Sequence, residues 1–302
     1  MPGRPGWPRQ SRRPRAKRRL AVRVCGASLL ALVVCAGGVG CGNSGEGGGG
    51  EGGGAAGVSA AGGGGAPAAP TRLRAEVVEV RPHDPTAFTQ GLEVVGGLLY
   101  ESTGLYGRSA VRELDLLTGE VLRHVALEPG LFGEGLTAVG DHLVQLTWRE
   151  GVVLMWDRES LALVGEATVD GEGWGLCYEP GGDRLVQSDG SATLTFRGPE
   201  DLASRGSVQV IAEAEPVARL NELECDAEAG LVWANVWQTD EIVGIDTQTG
   251  EVAARVDATG LGPAARGPEE VLNGIAALGD GRYLLTGKNW PMAYVVRFVP
   301  GG

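Results

Sequence analysis

Five side chains that could bind or react with a ligand recur along this chain at a regular spacing. Each stands directly before a Gly-Leu-like pair that opens an apolar stretch, in the segments Gln90-Gly91-Leu92, Glu134-Gly135-Leu136, Trp174-Gly175-Leu176, Asn221-Glu222-Leu223 and Asn273-Gly274-Ile275. The spacings are 44, 40, 47 and 52 residues. A carboxyl, an indole and three amides at one repeated position favour an active site over a structural core.

The spacing also predicts the fold. A period in the forties with strand-like content between repeats is typical of a β-propeller with one four-stranded blade per repeat. The innermost strands of such a fold surround a central channel, so one repeated position points at one place. We therefore expect an all-β, five-bladed β-propeller whose repeated residues meet in the channel.

Glu134 is the strongest catalytic candidate. Glycines flank it on both sides and Phe132 lies two residues before it. A carboxyl that loses hydration near aromatic rings has a raised pKa and can act as both general acid and general base. The alternative is an ordinary solvated or salt-bridged glutamate.

The amides Gln90, Asn221 and Asn273 offer a donor and an acceptor together, which suits binding of another amide. Asn273 is the weakest of these candidates, and turn formation is the alternative for each asparagine. Lys288 follows Gly287 at a predicted strand end, where it could hold a carboxylate or polarise a carbonyl, or simply be solvated.

Tryptophans supply the predicted pocket wall. Trp148 and Trp237 close predicted second strands and Trp174 belongs to the repeated position, so three indoles gather at one end of the channel. Packing in the core is the alternative for each of them, and Trp156 and Trp233 are interpreted in that way. The three histidines form no pair with metal-ligand spacing, and no phosphate-binding glycine loop is present, so no metal or cofactor is expected.

The elements between the repeated positions support internal duplication. The pattern Asp-x-x-Thr-Gly-Glu occurs at residues 115–120 and again at 246–251. The last repeat ends after its third strand, at Tyr294–Val299, whereas Arg74–Val80 precedes the first repeat without a partner. We predict that Arg74–Val80 supplies the missing outer strand of the last blade and so removes an exposed edge.

The first 70 residues differ sharply from the remainder. Residues 1–41 are predicted to be an export signal. They contain nine basic residues and no acid, an apolar stretch at Ala27–Ala36 and the segment Gly38-Val39-Gly40-Cys41. Cys41 resembles the lipidated cysteine of a bacterial lipoprotein. Residues 42–70, rich in glycine and alanine, are predicted to be a flexible linker, and residues 71–302 the catalytic domain. We expect a lipid-anchored monomer in the bacterial cell envelope.

Net charge and cysteine positions bear on nucleic-acid binding and on disulfide formation. The chain has 26 basic and 38 acidic residues, so the part after residue 41 carries a net charge of −21, which argues against nucleic-acid binding. Outside the signal, Cys177 and Cys225 remain. They fall one residue out of register on neighbouring inner strands, so opposite faces and two separate buried thiols are favoured over a disulfide.

Eight segments in order resemble the plant and bacterial type of glutaminyl-peptide cyclotransferase, over about residues 75–298. They are Phe88-Thr89-Gln90-Gly91-Leu92, Phe132-Gly133-Glu134-Gly135-Leu136-Thr137, Leu146-Thr147-Trp148, Gly173-Trp174-Gly175-Leu176, Leu220-Asn221-Glu222-Leu223-Glu224, Trp233-Ala234-Asn235-Val236-Trp237, Leu272-Asn273-Gly274-Ile275 and Thr286-Gly287-Lys288-Asn289-Trp290-Pro291.

The resemblance implies a metal-independent five-bladed propeller that closes the N-terminal glutamine of peptides or proteins to pyroglutamate and releases ammonia. It implies that Glu134 transfers protons, and that Gln90, Asn221 and Lys288 orient the substrate and stabilise the oxyanion. The implied pocket walls are Phe88, Phe132, Trp148, Trp174 and Trp237. The rival hypothesis is a non-catalytic, surface-anchored propeller that binds or scaffolds other molecules.

Overall fold

The structure, a computed structural model, describes residues 69–301. The predicted signal over residues 1–41, with Cys41, and almost all of the predicted linker over residues 42–70 lie outside the described residues. The described part is all-β, with 22 strands and one short 3-10 helix at Pro180–Gly182. Within residues 69–301, no helix is both long enough and apolar enough to cross a membrane.

After the long first strand β1 (Thr71–Pro82), three four-stranded sheets follow, each an antiparallel meander in sequence order. The first contains β2 (Thr89–Val95), β3 (Leu98–Thr103), β4 (Ala110–Asp115) and β5 (Val121–Ala126). The second contains β6 (Gly133–Val139), β7 (His142–Thr147), β8 (Val152–Asp157) and β9 (Leu163–Thr168). The third contains β10 (Leu176–Glu179), β11 (Arg184–Gln187), β12 (Thr193–Arg197) and β13 (Ser204–Gln209).

The last two repeats share one eight-stranded sheet. After the small hairpin of β14 (Ile211–Ala212) and β15 (Glu215–Pro216), the fourth repeat contains β16 (Leu220–Asp226), β17 (Leu231–Val236), β18 (Glu241–Ile245) and β19 (Val252–Asp257). The fifth contains β20 (Leu272–Gly279), β21 (Arg282–Gly287) and β22 (Met292–Pro300). The expected all-β class with four-stranded repeats is confirmed.

Strand β1 completes the fifth repeat and joins it to the fourth. It pairs antiparallel with β22, from Leu73 opposite Pro300 to Pro82 opposite Met292, as predicted for Arg74–Val80. Its first residues, from Thr71 to Arg74, also pair in parallel with β19. The sequence pattern did not predict this second pairing, which covers the edge of β19.

Apolar side chains fill the spaces between successive sheets. The middle strands are buried along most of their length, whereas the outer strands β5 and β9 are largely exposed. Five clusters of buried residues each combine side chains from two neighbouring repeats, and one of them packs Leu92 and Leu114 of the first repeat on Leu284 and Val295 of the fifth. Each repeat therefore buries both faces against its neighbours, and the last repeat packs on the first.

The first strands of the repeats approach one another closely enough to exclude side chains. A Cβ on Gly135 would lie 2.4 Å from the backbone nitrogen of Leu176, and a Cβ on Gly175 would lie 2.0 Å from the carbonyl oxygen of Asn221. This contact explains the glycine after the repeated polar residue. Glu222 takes that position in the fourth repeat, and its carboxylate accepts hydrogen bonds from the backbone N–H groups of Leu92, at 3.1 Å, and Ile275, at 2.7 Å.

The prediction of two separate thiols at Cys177 and Cys225 is wrong, because the two residues form a disulfide with a Cα–Cα distance of 5.4 Å. Leu176 packs toward the second repeat, so its neighbour Cys177 faces the fourth, whereas Leu223 and Cys225 face back toward the third. Residues in separate, face-to-face sheets meet when they lie on opposite faces. The one-residue offset therefore brings the sulfurs together, whereas the prediction applied a rule for one sheet.

The disulfide is expected to stabilise the contact between the third and fourth repeats. It closes a loop with a sequence separation of 48 residues, so the double variant Cys177→Ala/Cys225→Ala should lose about 2–4 kcal/mol of unfolding free energy. Urea unfolding of wild type and variant, each with and without reductant, measures this loss. Reductant should destabilise only the wild type, and equal midpoints for all four samples would contradict the assignment.

Candidate active site

The predicted site residues at the starts of first strands and those at the ends of second strands lie at one end of the repeats. Gln90, Glu134, Asn221 and Asn273 stand at the beginnings of first strands, and Trp174 lies two residues before β10. Trp148, Trp237 and Lys288 directly follow second strands. Because first and second strands are antiparallel, the start of one lies beside the end of the other. The register of the sheets thus gathers the predicted carboxyl, amides, indoles and lysine at the same end.

Glu134 is buried, with 4% of its surface exposed, and accepts a hydrogen bond of 2.8 Å from Nε2 of Gln90. Burial raises the pKa of Glu134 well above its ordinary range, and the negative charges of Glu150 and Glu172 raise it further. Lys288 and the Gln90 hydrogen bond oppose this rise. Burial and two neighbouring carboxylates thus favour the protonated form of Glu134.

Asn273 fixes the orientation of Gln90. Its Nδ2 donates to Oε1 of Gln90 at 3.1 Å and to the carbonyl oxygen of Thr89 at 2.9 Å. With its oxygen held in this way, Gln90 turns its NH₂ group to Glu134. Asn273, the weakest candidate at the level of the sequence, is the start of a hydrogen-bonded chain that ends at the buried carboxyl.

Three buried amide atoms have no hydrogen-bond partner among the described residues: Oδ1 of Asn221, Oδ1 of Asn273 and Nδ2 of Asn235. Asn235 was not a sequence candidate, although it lies between Trp233 and Trp237 in one of the resembling segments. Its Oδ1 accepts from the backbone N–H of Gly274 at 2.9 Å, which leaves its donor unpaired. Buried polar atoms without partners destabilise the folded state, so these atoms are suited to bind a polar ligand.

Lys288 is buried, with 4% of its surface exposed, and not solvated. Its backbone N–H donates to the carbonyl oxygen of Val271, and its Nζ lies 4.8 Å from the ring centroid of Phe88. Burial lowers the pKa of Lys288, while the charges of Glu134 and Glu269 act in the opposite direction. A lysine held in this way places a positive charge near Glu134. Because the side chain is already ordered, little further side-chain entropy is lost when a ligand binds.

The five predicted wall residues form two aromatic groups. In the first, Phe132 contacts Phe88 with centroids 6.1 Å apart and Trp148 at 5.5 Å, and Tyr106 joins at 5.3 Å from Phe132. In the second, the rings of Trp174 and Trp237 meet edge to face at 5.5 Å. Sequence reasoning did not include Tyr106 in the wall.

Two carboxylates at the aromatic walls were also missed. Oε1 of Glu150 accepts from the hydroxyl of Tyr106 at 2.8 Å. Oε2 of Glu172 accepts from the indole nitrogens of Trp148 at 2.9 Å and Trp174 at 3.1 Å. Both residues lie in loops without periodicity, and their proximity to Trp148 and Trp174 in the sequence was the only available signal.

Among residues 69–301, no group of three or more His, Cys, Asp or Glu side chains is arranged to hold a metal ion. His83 instead belongs to a buried network, in which its Nε2 lies 3.1 Å from Oε1 of Glu101 and its Nδ1 lies 2.7 Å from the carbonyl oxygen of Trp290. Arg112 pairs with the same glutamate. This network links the first and fifth repeats.

Comparison with known proteins identifies the family. The family model described as glutamine cyclotransferase matches residues 54–298. The chain belongs to the glutamine cyclotransferase family. It is 39% identical over 229 residues to glutaminyl-peptide cyclotransferase of Arabidopsis thaliana, covering 74% of this chain and 70% of that protein.

A solved structure in this family supports the same conclusion. The crystal structure of Myxococcus xanthus glutaminyl cyclase superposes with a TM-score of 0.71 at 39% sequence identity. The match covers 77% of this chain and 100% of that chain. The all-β architecture described above is therefore that of an enzyme in this family.

The raised pKa of Glu134 has a consequence for stability. Ionising this buried carboxyl destabilises the folded state, so the penalty appears as the pH rises above the pKa of glutamate in the unfolded chain, about 4.3. Glu134→Gln should therefore unfold at a higher temperature than wild type at neutral pH, by roughly 2–4 °C for each kcal/mol relieved. The difference should shrink as the pH falls toward about 4.3 and be absent well below that value.

Thermal melting of both proteins between acid and neutral pH tests this expectation. Glu101→Gln is the matched control, because Arg112 and His83 hold the pKa of Glu101 at about 2 despite its burial. Removing that charge should lower the melting temperature at neutral pH. A Glu134→Gln variant less stable than wild type at every pH would show that the buried carboxylate is not a destabilising group.

Proposed function

We propose that Glu134 performs the proton transfers of this enzyme, a glutaminyl-peptide cyclotransferase that closes N-terminal glutamine to pyroglutamate. The observation that carries the assignment is a buried carboxyl bound by Gln90 and placed near Lys288 at the strand ends. Its raised proton affinity suits a group that must accept a proton and then return it. The substrate class comes from the family and from the curated relative.

The reaction needs one proton to move between two nitrogens. The α-amine of the peptide attacks the carbonyl carbon of its own γ-carboxamide, forming the ring C–N bond and a tetrahedral intermediate. Glu134 takes a proton from the attacking nitrogen and delivers it to the amide nitrogen. The C–N bond to that nitrogen then breaks and ammonia leaves, which regenerates the carboxylate without any other reactant.

Polar neighbours of Glu134 are proposed to orient the substrate and stabilise the developing oxyanion. Lys288 supplies a buried positive charge, which is effective where water is excluded. Gln90 is fixed through Asn273, so little reorganisation accompanies the reaction. Unpaired Oδ1 atoms of Asn221 and Asn273 are suited to accept from amine or amide N–H groups, and Nδ2 of Asn235 is suited to donate to a carbonyl.

The aromatic walls are proposed to confine the glutamine side chain. Ring closure requires the amine and the amide to approach within about 3–3.5 Å, and holding them there supplies much of the rate. Phe88, Phe132 and Trp148 would form one wall, and Trp174 and Trp237 the other. A non-catalytic scaffold would have no use for a buried carboxyl between such walls, which disfavours the rival hypothesis.

We also infer that the five repeats form a five-bladed propeller. Support comes from the contacts between successive first strands, including that of β20 with β2, and from the five apolar clusters between neighbouring repeats. Completion of the fifth repeat by β1 further supports it. A crystal structure in which the fifth repeat does not contact the first would contradict this inference.

Export and lipid anchoring through Cys41 are part of the proposal and rest on the sequence of residues 1–41. Cys41→Ser should prevent lipidation, since the thiol is the group that would be acylated. Metabolic labelling with a fatty acid in a bacterial host, followed by membrane fractionation, measures the effect. A Cys41→Ser protein that is still labelled and recovered with membranes like wild type would contradict the anchor.

Glu134→Gln should remove most of the cyclisation rate, by roughly a hundredfold or more, because the amide cannot exchange protons. Gln90 can still donate to the introduced carbonyl oxygen, so the fold and substrate binding should persist. The measurement is ammonia release from a peptide with N-terminal glutamine, alongside thermal melting. Glu134→Asp, which keeps a carboxyl but withdraws it, should retain intermediate activity. A folded Glu134→Gln variant with near-normal kcat would contradict the role.

A further inference from the structure

Glu172 joins the two aromatic groups of the pocket. One of its oxygens, Oε2, accepts hydrogen bonds from the indole of Trp148 in the first group and from the indole of Trp174 in the second. These two tryptophans come from different repeats, after β7 and before β10. A single carboxylate oxygen therefore links the two aromatic groups of the proposed site.

The carboxylate is itself held on both sides. Its second oxygen accepts from Nε of Arg149 at 2.9 Å, and the Arg149 guanidinium lies 3.7 Å from the ring centroid of Trp148. Nε2 of Gln187 donates to the carbonyl oxygen of Glu172 at 3.2 Å, and the N–H of Gly173 donates to the carbonyl oxygen of Trp148 at 2.8 Å. Backbone and side chain are both anchored, so the oxygen between the indoles has a defined position.

We propose that Glu172 is a positioning residue of this active site, which sets the separation and tilt of the Trp148 and Trp174 walls by accepting both indole N–H groups on one oxygen. The inference rests on the proposed function, because it assigns Glu172 a part in the same reaction. Trp148 and Trp174 are both partly exposed. Rings that flank a substrate position it through their shape, so a small displacement of either ring should loosen the substrate between them.

The charge state of Glu172 is consistent with this role. Burial alone would raise its pKa, but the Trp174 indole, Arg149 and the Trp148 indole together hold the pKa of Glu172 below its ordinary range. The residue is therefore a carboxylate at neutral pH, and an ionised acceptor forms stronger hydrogen bonds than a neutral one. Its charge also helps to raise the pKa of Glu134, which gives a second effect that must be separated from positioning.

A double-mutant cycle separates the two effects. In the wild-type background, Glu172→Ala should lower kcat/KM by about tenfold or more, because a displaced wall costs attack geometry. In the Trp148→Phe/Trp174→Phe background the rings remain but the indole N–H groups are gone. Glu172→Ala should then lower kcat/KM by only about twofold, since it has no indole left to hold.

Glu150→Gln is the matched control. Glu150 also raises the pKa of Glu134, and it accepts hydrogen bonds from the Tyr106 hydroxyl and the backbone N–H of Phe132 but from no indole nitrogen. Its effect on kcat/KM should be the same in both backgrounds. Glu172→Gln is the milder second variant, which keeps an oxygen between the indoles and so should retain most of kcat/KM. Loss of its charge should move the acid limb of the pH profile to lower pH.

Indole N–H signals give a readout other than activity. In a ¹⁵N-correlated spectrum, the signals of Trp148 and Trp174 should both shift in Glu172→Ala, with assignments from the single Trp→Phe variants, and both should stay near their wild-type positions in Glu150→Gln. Glu172→Gln should fall between these. Thermal melting confirms folding, and Glu172→Gln with its spectrum carries the test if Glu172→Ala does not fold.

Several results would overturn the proposal. They are an equal loss of kcat/KM from Glu172→Ala in both backgrounds, an equal loss from Glu172→Gln and Glu172→Ala, or unmoved signals of Trp148 and Trp174. Failure of the proposed function looks different, because the wild-type enzyme would then release no ammonia from peptides with N-terminal glutamine. An active wild type with an additive cycle would reject only the part assigned to Glu172.

Discussion

The close approach of the first strands at the centre of the repeats is the constraint on which the site depends. At Gly135 and Gly175 the neighbouring backbone lies where a side chain would begin, so the strands meet through main-chain atoms. Glu134 and Trp174 stand immediately before these glycines, and the N–H of Gly135 donates to the carbonyl oxygen of Trp174 at 2.6 Å. In the fourth repeat Glu222 spans the same region and binds backbone N–H groups of β2 and β20. The close backbone contact between first strands therefore lies directly beside the candidate site residues.

How far the sequence predicts this structure depends on the kind of signal. Repeated features are predicted well, because the period places Gln90, Glu134 and Asn221 in equivalent positions, and an incomplete last repeat requires a strand such as Arg74–Val80. Features in single loops are not predicted from the sequence. Glu150 and Glu172 belong to no repeated pattern, and only the folded geometry shows which hydrogen bonds they accept. Asn273 was undervalued for a similar reason, since its importance lies in a bond to Gln90, which is 183 residues away along the chain.

The prediction for Cys177 and Cys225 was wrong for a different reason. A rule for alternation within one sheet was applied to residues of two sheets that pack face to face, where the sense of the rule is reversed. Cys177 and Cys225 lie on opposite faces of their own strands and therefore point at each other. Where two sheets pack face to face, two cysteines on equivalent strands can form a disulfide when their positions differ by an odd number of residues, and not when they differ by an even number. The register together with the face-to-face packing of the repeats is enough to predict this disulfide.

Glu101 and Glu134 show how neighbouring charges decide the ionisation of a buried carboxyl in this fold. Both Glu101 and Glu134 are shielded from water, and burial alone would raise the pKa of each. Glu101 pairs with Arg112 and His83 and accepts from Thr89, so its pKa falls to about 2 and it stays a carboxylate. Among the described residues, the Gln90 amide is the one direct hydrogen-bond partner of Glu134, Lys288 is a nearby cation, and two further carboxylates act against ionisation. Its proton affinity therefore remains high, and the pKa of Lys288 is lowered in turn by burial. Full compensation of Glu134 would stabilise the protein but would leave a carboxylate too weakly basic to take a proton from an amine. The pKa values of the buried Glu222 and Glu224 are raised as well, so incomplete compensation alone does not mark a catalytic carboxyl. The role proposed for Glu134 rests in addition on its hydrogen bond to Gln90 and on the charge of Lys288.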